Sequence, residues 1–342
     1  MNVIIPMAGL GSRLKPITPT TPKPLIKLAG KTIIHRIIEE LYQYNQLEKI
    51  GFVIQSKQDQ LEEDLREIVR DEFNQKIQVY FFYQKKARGT AHAIYCAKEL
   101  LQGKVLVIFS DTLFFLKKAI KFNQLEKYDG AIFVKKVKNP SAYGVVHKNE
   151  SGEIINFIEK PTKPISNLAI IGVYYFKDAA RLQYEIRQII SKKILEKGEY
   201  QLTTALRKLS INDAKFTTIE VEDWLDCGTP NKLLETNQYL LKNKKQKIRT
   251  TSSTAREFNN KEVISPSYIG ENVVIKNSTI GPHVSIEDNC VIEDSKITHS
   301  IIQEGVIVKK ANITNSIIGK HSQYNSESKS VIIGPHSNLN IE

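Results

Sequence analysis

The 342-residue sequence predicts an α/β domain, with a mostly parallel sheet and helices on both faces, followed by a parallel β-helix. Three observations lead there. Up to about residue 110, short β-branched or aromatic runs alternate with one-faced helical patterns, as in parallel α/β sheets. A strand-rich stretch and three further helical patterns follow. The last eighty or so residues instead place an aliphatic side chain every five or six positions, the mark of stacked coils.

In order, Val3, Ile4 and Ile5 read as a buried strand that breaks into a glycine turn. Residues 32–44 put Ile34, Ile37, Ile38 and Leu41 on one helical face, and 50–54 read as a strand. A helix is expected over 59–73, with Leu61, Leu65, Ile68 and Val69 inward, then a strand over 77–83. Thr90 is placed to cap a helix over 91–101, and 105–109 read as a buried strand. Strands are expected over 131–137, 144–147, 153–158, 168–176 and 216–221, and helices over 179–196, 202–209 and 231–241. The repeat then runs through Val263, Ile269, Ile275, Ile280, Ile286, Ile292, Ile297, Ile302, Val308, Ile313 and Ile318, with a fainter continuation at Ile333 and Leu339.

Composition narrows the class. Apolar residues make up 41% of the chain, ordinary for a globular protein, and no apolar run is long enough to span a bilayer. The N-terminus lacks a basic segment and a small-residue cleavage site, so no signal peptide is expected. Three scattered cysteines argue against a disulfide framework or zinc site and for the cytoplasm. The net charge of +12 is mostly dispersed lysine, and the dense run at 242–247 falls in an expected linker. Without zinc-finger spacing or interleaved aromatics, this favours anionic small molecules over nucleic acid.

The first strand leads into Ala8-Gly9-Leu10-Gly11-Ser12-Arg13-Leu14, and Pro22-Lys23-Pro24 follows. Glycines let backbone N–H groups approach a phosphate, Arg13 adds a fork of donors, and Lys23 a point charge. The loop fits neither common phosphate motif. No glycine-lysine-hydroxyl run follows, and Leu14 stands where a dinucleotide fingerprint needs a third glycine.

Asp111 follows the strand over 105–109, and Asp226 lies in Trp224-Leu225-Asp226-Cys227-Gly228-Thr229. Two carboxylates with phosphate oxygens and water would suit magnesium; a turn or cap aspartate is the bland alternative. Gln84 ends a strand ahead of Gly89 and Thr90, and its side-chain carbonyl suits the N3–H of uracil or thymine. His92 reads as an ordinary helix residue with no catalytic role. Glu159 could accept from sugar hydroxyls and Lys160 could meet a phosphate, or the two could be a surface ion pair. Tyr143-Gly144 offers close backbone approach, or merely a turn.

Together and in order, these segments resemble the sugar-1-phosphate nucleotidylyltransferases, most closely the long-form glucose-1-phosphate thymidylyltransferases, over nearly the whole chain. The resemblance implies a Rossmann-like catalytic domain over 1–243, a linker over 244–261, and a left-handed β-helix of hexapeptide repeats over 262–342. It implies that Gln84 and Gly89 read the base and that Thr90 belongs to the nucleotide site, while Ala8, Gly9, Leu10, Gly11, Ser12 and Arg13 hold the triphosphate. Asp111 and Asp226 would hold Mg2+. Lys23 and Lys160 would meet the sugar phosphate, and Tyr143, Gly144, Glu159, Gly172 and Glu199 the sugar. The substrates would be dTTP or UTP and a hexose 1-phosphate, with no nucleic-acid or membrane partner and a homo-oligomer formed through the β-helix.

The chain departs from the family at Ser110 and Thr112, which flank Asp111 in place of glycine and an asparagine or aspartate. It departs again at Thr204, since Gln201-Leu202-Thr203-Thr204 lacks the usual aspartate. Both lie near the expected sugar pocket. Two rivals remain: a regulatory protein of the same layout without catalysis, and a bifunctional enzyme whose β-helix transfers acyl groups. His283, His299, His321 and His336 fall in expected repeat turns, where surface placement is the default.

Overall fold

The computed structural model describes residues 1–9, 11–18, 21–44, 46–74, 76–163, 165–243, 258–259, 262–325 and 331–340. Leu10 and all of the expected linker except Phe258 and Asn259 lie outside the described residues. The chain packs as two units, one formed by 1–9 with 37–224, the other by 10–36 with 225–342.

The first unit is a nine-stranded sheet. Its strands are β1 (Asn2–Pro6), β2 (Lys49–Ile54), β3 (Gln78–Tyr83), β4 (Val105–Ile108), β5 (Gly130–Lys136), β6 (Gly144–Lys148), β7 (Ile154–Glu159), β8 (Leu168–Phe176) and β9 (Phe216–Glu220). The order is β7-β6-β8-β4-β1-β2-β3, with β5 pairing both β8 and β9. The pairs among β4, β1, β2 and β3, and the pair β9 with β5, are parallel. Strand β8 runs antiparallel to β4, β5 and β6, so the sheet is mixed around it. The continuous apolar runs of β1 and β4 are buried at every inner position because both lie inside the sheet.

Helices α1 (Ile33–Leu41), α2 (Asp59–Phe73), α3 (Thr90–Cys96), α4 (Ala179–Ser191), α5 (Leu202–Ile211) and α6 (Pro230–Lys242) match the apolar periodicity, with shorter ends in places. The helix expected over 179–196 stops at Ser191, and the one over 91–101 stops at Cys96 before a 3-10 turn, Lys98–Leu100. Asp178 caps α4 by accepting from the Ala180 N–H at 3.1 Å. Thr90 does not cap α3. Gly89 occupies that position, while the Thr90 hydroxyl accepts from the Leu202 N–H at 2.9 Å.

In the second unit, short strands stack into three parallel sheets, the left-handed β-helix expected from the repeat. The register converts each predicted aliphatic position into a vertical column. Ile275, Ile292, Val308 and Tyr324 form one, Ile280, Ile297 and Ile313 a second, and Ile269, Ile286, Ile302, Ile318 and Ile333 the third. Tyr324 fills an aliphatic place and is 1% exposed, which explains why the pattern fades there. The corners need left-handed backbone, supplied by Asn272, Asn277, His283, Asn289, Asp294 and His299 among others. Residues 10–36 and α6 pack within this unit: Lys27 pairs with Asp288 at 3.1 Å, and buried Asn237 accepts from the Ala29 N–H and the Ser285 hydroxyl.

Candidate functional site

The site of the first unit is organised by a break in β8. Its pairing with β5 shifts between Ile170 and Tyr174. On its other edge β8 pairs with β6 at Ala169 and with β4 from Val173 onward. Gly172 sits in the break with φ near +87°, where a side chain would press within 3.1 Å of Phe109 and Thr112. Phe109 donates its N–H to the Gly172 carbonyl at 2.8 Å, so the chain leaves β4 there and turns through Ser110 and Asp111. The start of β6, with Tyr143 and Gly144, meets the same break from the other side. The break thus opens beside the carboxyl end of β4, and in open α/β sheets ligands settle outside the carboxyl ends of the parallel strands.

Two carboxylates belong to segments that meet this break, Asp111 in the turn after β4 and Glu159 at the end of β7. Glu159 at the end of β7 pairs with Gly144, and its Oε2 stands 3.1 Å from where a Gly144 side chain would begin. Tyr174 is buried, and its phenol is pushed up by burial first and then by the negative charges of Glu159 and Asp111. Lys160 is exposed with φ near +48°, its N–H donating to the Tyr143 carbonyl at 3.1 Å. The ring of Tyr143 packs edge-on against Trp224, 4.8 Å between centroids, and the Trp224 Nε1 has no partner among the described residues.

A second cluster joins the first through the start of α5. Gly89 has φ near +104°, and an added side chain would come within 2.6 Å of the Tyr200 carbonyl and 2.9 Å of the Glu199 Cβ. Residues 88–91 and 200 are laced together by Tyr200 N–H to Arg88 O and Ala91 N–H to Tyr200 O, each at 2.9 Å. Thr90 holds Leu202, and the next residue, Thr203, donates to Glu159 Oε2 at 3.4 Å. The segment expected to read a base thus touches the segment of Glu199, expected to bind sugar. The structure brings together Gly89, Thr90, Glu199, Gly144 and Glu159. Gln84 joins them by donating from Nε2 to the Gly89 carbonyl at 3.2 Å.

The family departures have local partners. Thr112 donates to the Ile171 carbonyl at 2.5 Å, tying the Asp111 turn to the broken strand. The Thr204 hydroxyl donates to Glu196 at 2.7 Å, and Arg207 reaches the same oxygen. Ser110 is buried.

The second unit holds Gly11, Ser12, Arg13 and Lys23 of the expected phosphate residues. Ser12–Leu14 form one 3-10 turn, and the Thr18 hydroxyl closes it on the Gly11 carbonyl at 3.0 Å. Lys23 opens another 3-10 turn after Pro22. The Asp226 Oδ1 accepts from the Gly228 N–H at 2.7 Å. A guanidinium nitrogen of Arg13 lies 3.6 Å from the point where a Gly228 side chain would start, so Arg13 and Asp226 flank this glycine. Ala8 is buried and Gly9 exposed, both in the first unit. Asp111 and Asp226 offer hard carboxylate oxygens, the donor chemistry that magnesium prefers.

Thr203, Tyr174 and Trp224 were given no role from sequence. Trp224 and Thr203 stood in quoted segments, two residues before Asp226 and at the end of Glu199-Tyr200-Gln201-Leu202-Thr203, whereas the Tyr174 contacts have no local signal.

Comparisons with known proteins bear on the family and the fold. A family model described as "Nucleotidyl transferase" matches residues 2–243. The "Bifunctional protein GlmU" of Methanococcus maripaludis is 31% identical over 365 residues, with 97% of this chain and 83% of that protein covered. The "Glucose-1-phosphate thymidylyltransferase" of Streptomyces griseus is 26% identical, with 100% and 99% covered. The "Low-salt glycan biosynthesis nucleotidyltransferase Agl11" of Haloferax volcanii is 28% identical, with 100% of both covered. Among solved structures, a nucleoside-diphosphate-sugar pyrophosphorylase from Vibrio cholerae shares the fold with a TM-score of 0.60 at 20% identity, covering 69% of this chain and 99% of that one. With a family match over most of its length and a 31% identical relative, the chain belongs to the nucleotidyl transferase family.

Proposed function

We propose that this protein is a sugar-1-phosphate nucleotidylyltransferase that joins dTTP or UTP to a hexose 1-phosphate, with glucose 1-phosphate the first choice, releasing pyrophosphate. The observation that carries the reading is the joint at the start of α5, where Thr90 of the base segment and Glu159 of the sugar segment are held by adjacent residues. A nucleoside and a sugar bound on either side of this joint would bring their phosphates together.

In the reaction, an oxygen of the sugar phosphate attacks the α-phosphorus; one P–O bond forms as the bond to pyrophosphate breaks. The nucleophile is already anionic, so no side chain has to remove a proton. The protein's task is to align two polyanions and offset their repulsion. Arg13 and the backbone of 8–12 would hold the triphosphate, and Lys23 and Lys160 the sugar phosphate. Tyr143, Gly144, Glu159, Gly172 and Glu199 would hold the sugar. Asp111 and Asp226 would hold Mg2+, which when bound neutralises phosphate charge.

The test is pyrophosphate release with magnesium, across dTTP, UTP, CTP, GTP and ATP against several hexose 1-phosphates. Activity with dTTP or UTP and one hexose 1-phosphate is expected; silence from folded protein would favour the regulatory alternative. A second reading, acyl transfer by the β-helix, is favoured by the likeness to a bifunctional relative. Transfer from acetyl-CoA to an amino sugar phosphate would support it, and none would remove it.

A further inference from the structure

One polar side chain faces Gln84 and has no part in the reading above. The Gln84 amide is buried, with Nε2 at 3.2 Å from the Gly89 carbonyl oxygen and 2.9 Å from His92 Nδ1. A carbonyl oxygen only accepts, so the end of the amide facing Gly89 is the NH2. Its second proton then points at His92 Nδ1, which must present a lone pair. Both amide protons are used, and no donor among the described residues reaches the Gln84 Oε1.

The surroundings keep His92 in that state. Its ring stacks on Tyr200 at 6.5 Å, and the Cys96 thiol lies 3.9 Å from Nδ1. Arg88 covers the other part of the Tyr200 ring and donates to its hydroxyl at 3.2 Å. Burial first, then the Arg88 charge, hold the imidazole below its ordinary pKa, in keeping with a ring nitrogen that accepts from the amide.

We infer that His92 is a positioning residue for base selection: its unprotonated Nδ1 locks the Gln84 amide with Oε1 toward the ligand. The site then takes a pyrimidine with a ring N–H at position 3, uracil or thymine. It refuses cytosine, whose N3 accepts. This rests on the reading of Gln84 as the base-binding residue. Protonating His92 would set an N–H against the amide NH2 and release the lock.

The experiment measures kcat/KM for UTP, dTTP and CTP with the wild type, His92→Phe and His92→Asn, at about pH 8 and about pH 5.5. Phe keeps a ring on Tyr200 without an acceptor, whereas Asn Oδ1 replaces Nδ1 as acceptor. His92→Phe should lose about tenfold of the preference over CTP, mainly through KM, and His92→Asn should retain it. The wild-type preference should fall toward the lower pH while that of His92→Asn stays flat. A wild type without pyrophosphate release from any nucleotide, or one preferring CTP, would overturn the Gln84 reading and this inference with it. Full preference in His92→Phe overturns this inference alone. Should that variant not fold, full preference in His92→Leu, which also lacks an acceptor, overturns it instead.

Discussion

The β-helix and the nine-stranded sheet both bury hydroxyls, and they use them in opposite ways. In the β-helix, Ser278 accepts from the Ser295 N–H, Ser295 from Ala311, Ser300 from Ser316 and Ser316 from Val331, each from the next coil. The pattern is a ladder in which every rung resembles the last, and the polar groups are consumed by the fold. In the sheet unit, Thr90, Thr112 and Thr203 each bind a different partner from a distant segment, while Thr204 binds Glu196 eight residues back. Those single-use contacts tie the turn of Asp111 to the broken strand β8 and link Glu159 and Thr90 to the start of α5. Repetition builds a uniform stack of coils; irregular contacts shape the candidate site.

Substitutions can break or sharpen this contrast. The largest effect is expected at Asp111→Asn, which should lower turnover by about 100-fold or more while the melting temperature stays near that of the wild type. Near-normal turnover would remove Asp111 from the reaction. In the β-helix, Ile297→Ala empties one place in a fully buried column and should cost about 2–5 kcal/mol of stability, with kcat/KM at the working temperature within about twofold. A large drop in kcat/KM would show that the β-helix takes part in the chemistry.

Glu287 is the exception that sharpens the comparison, a buried acid among the rungs with Oε1 unpartnered among the described residues. Burial pushes its pKa up to about 7, against the pull of Lys27 and Lys320. An acid raised in the folded state binds its proton more tightly there, so its stabilising share is complete below about pH 4.5 and is lost as the pH rises toward 7. Glu287→Gln should therefore stabilise by about 1–3 kcal/mol near pH 8 and change little near pH 4.5, read as melting temperature against pH. Equal effects at both pH values would sink this account. The smallest effect is expected at Asp178→Ala, where loss of the α4 cap should cost about 1 kcal/mol in chemical denaturation without changing KM. A cost near zero would mean that water replaces the cap.

How far the sequence reached follows from the same contrast. The spacing of Ile275, Ile292 and Val308 determined their column, because a coil of near-constant length returns each aliphatic side chain to the same inner wall. Strand and helix order in the sheet unit was likewise legible, because periodicity records which face each element buries. The glycine loop, Asp111, Gln84 and Glu159 were visible as motifs. What only the tertiary structure decided depends on pairs far apart in the chain. Nothing local to Thr90 says that its hydroxyl serves Leu202 rather than its own helix, and nothing local to His92 says that its ring nitrogen holds Gln84. The packing of 10–36 with 225–342 is of the same kind, since it rests on Lys27 meeting Asp288 and on Asn237 meeting Ala29. Local preference is additive along the chain and can be read from it. A hydrogen bond between distant residues exists only once the fold has closed the loop between them.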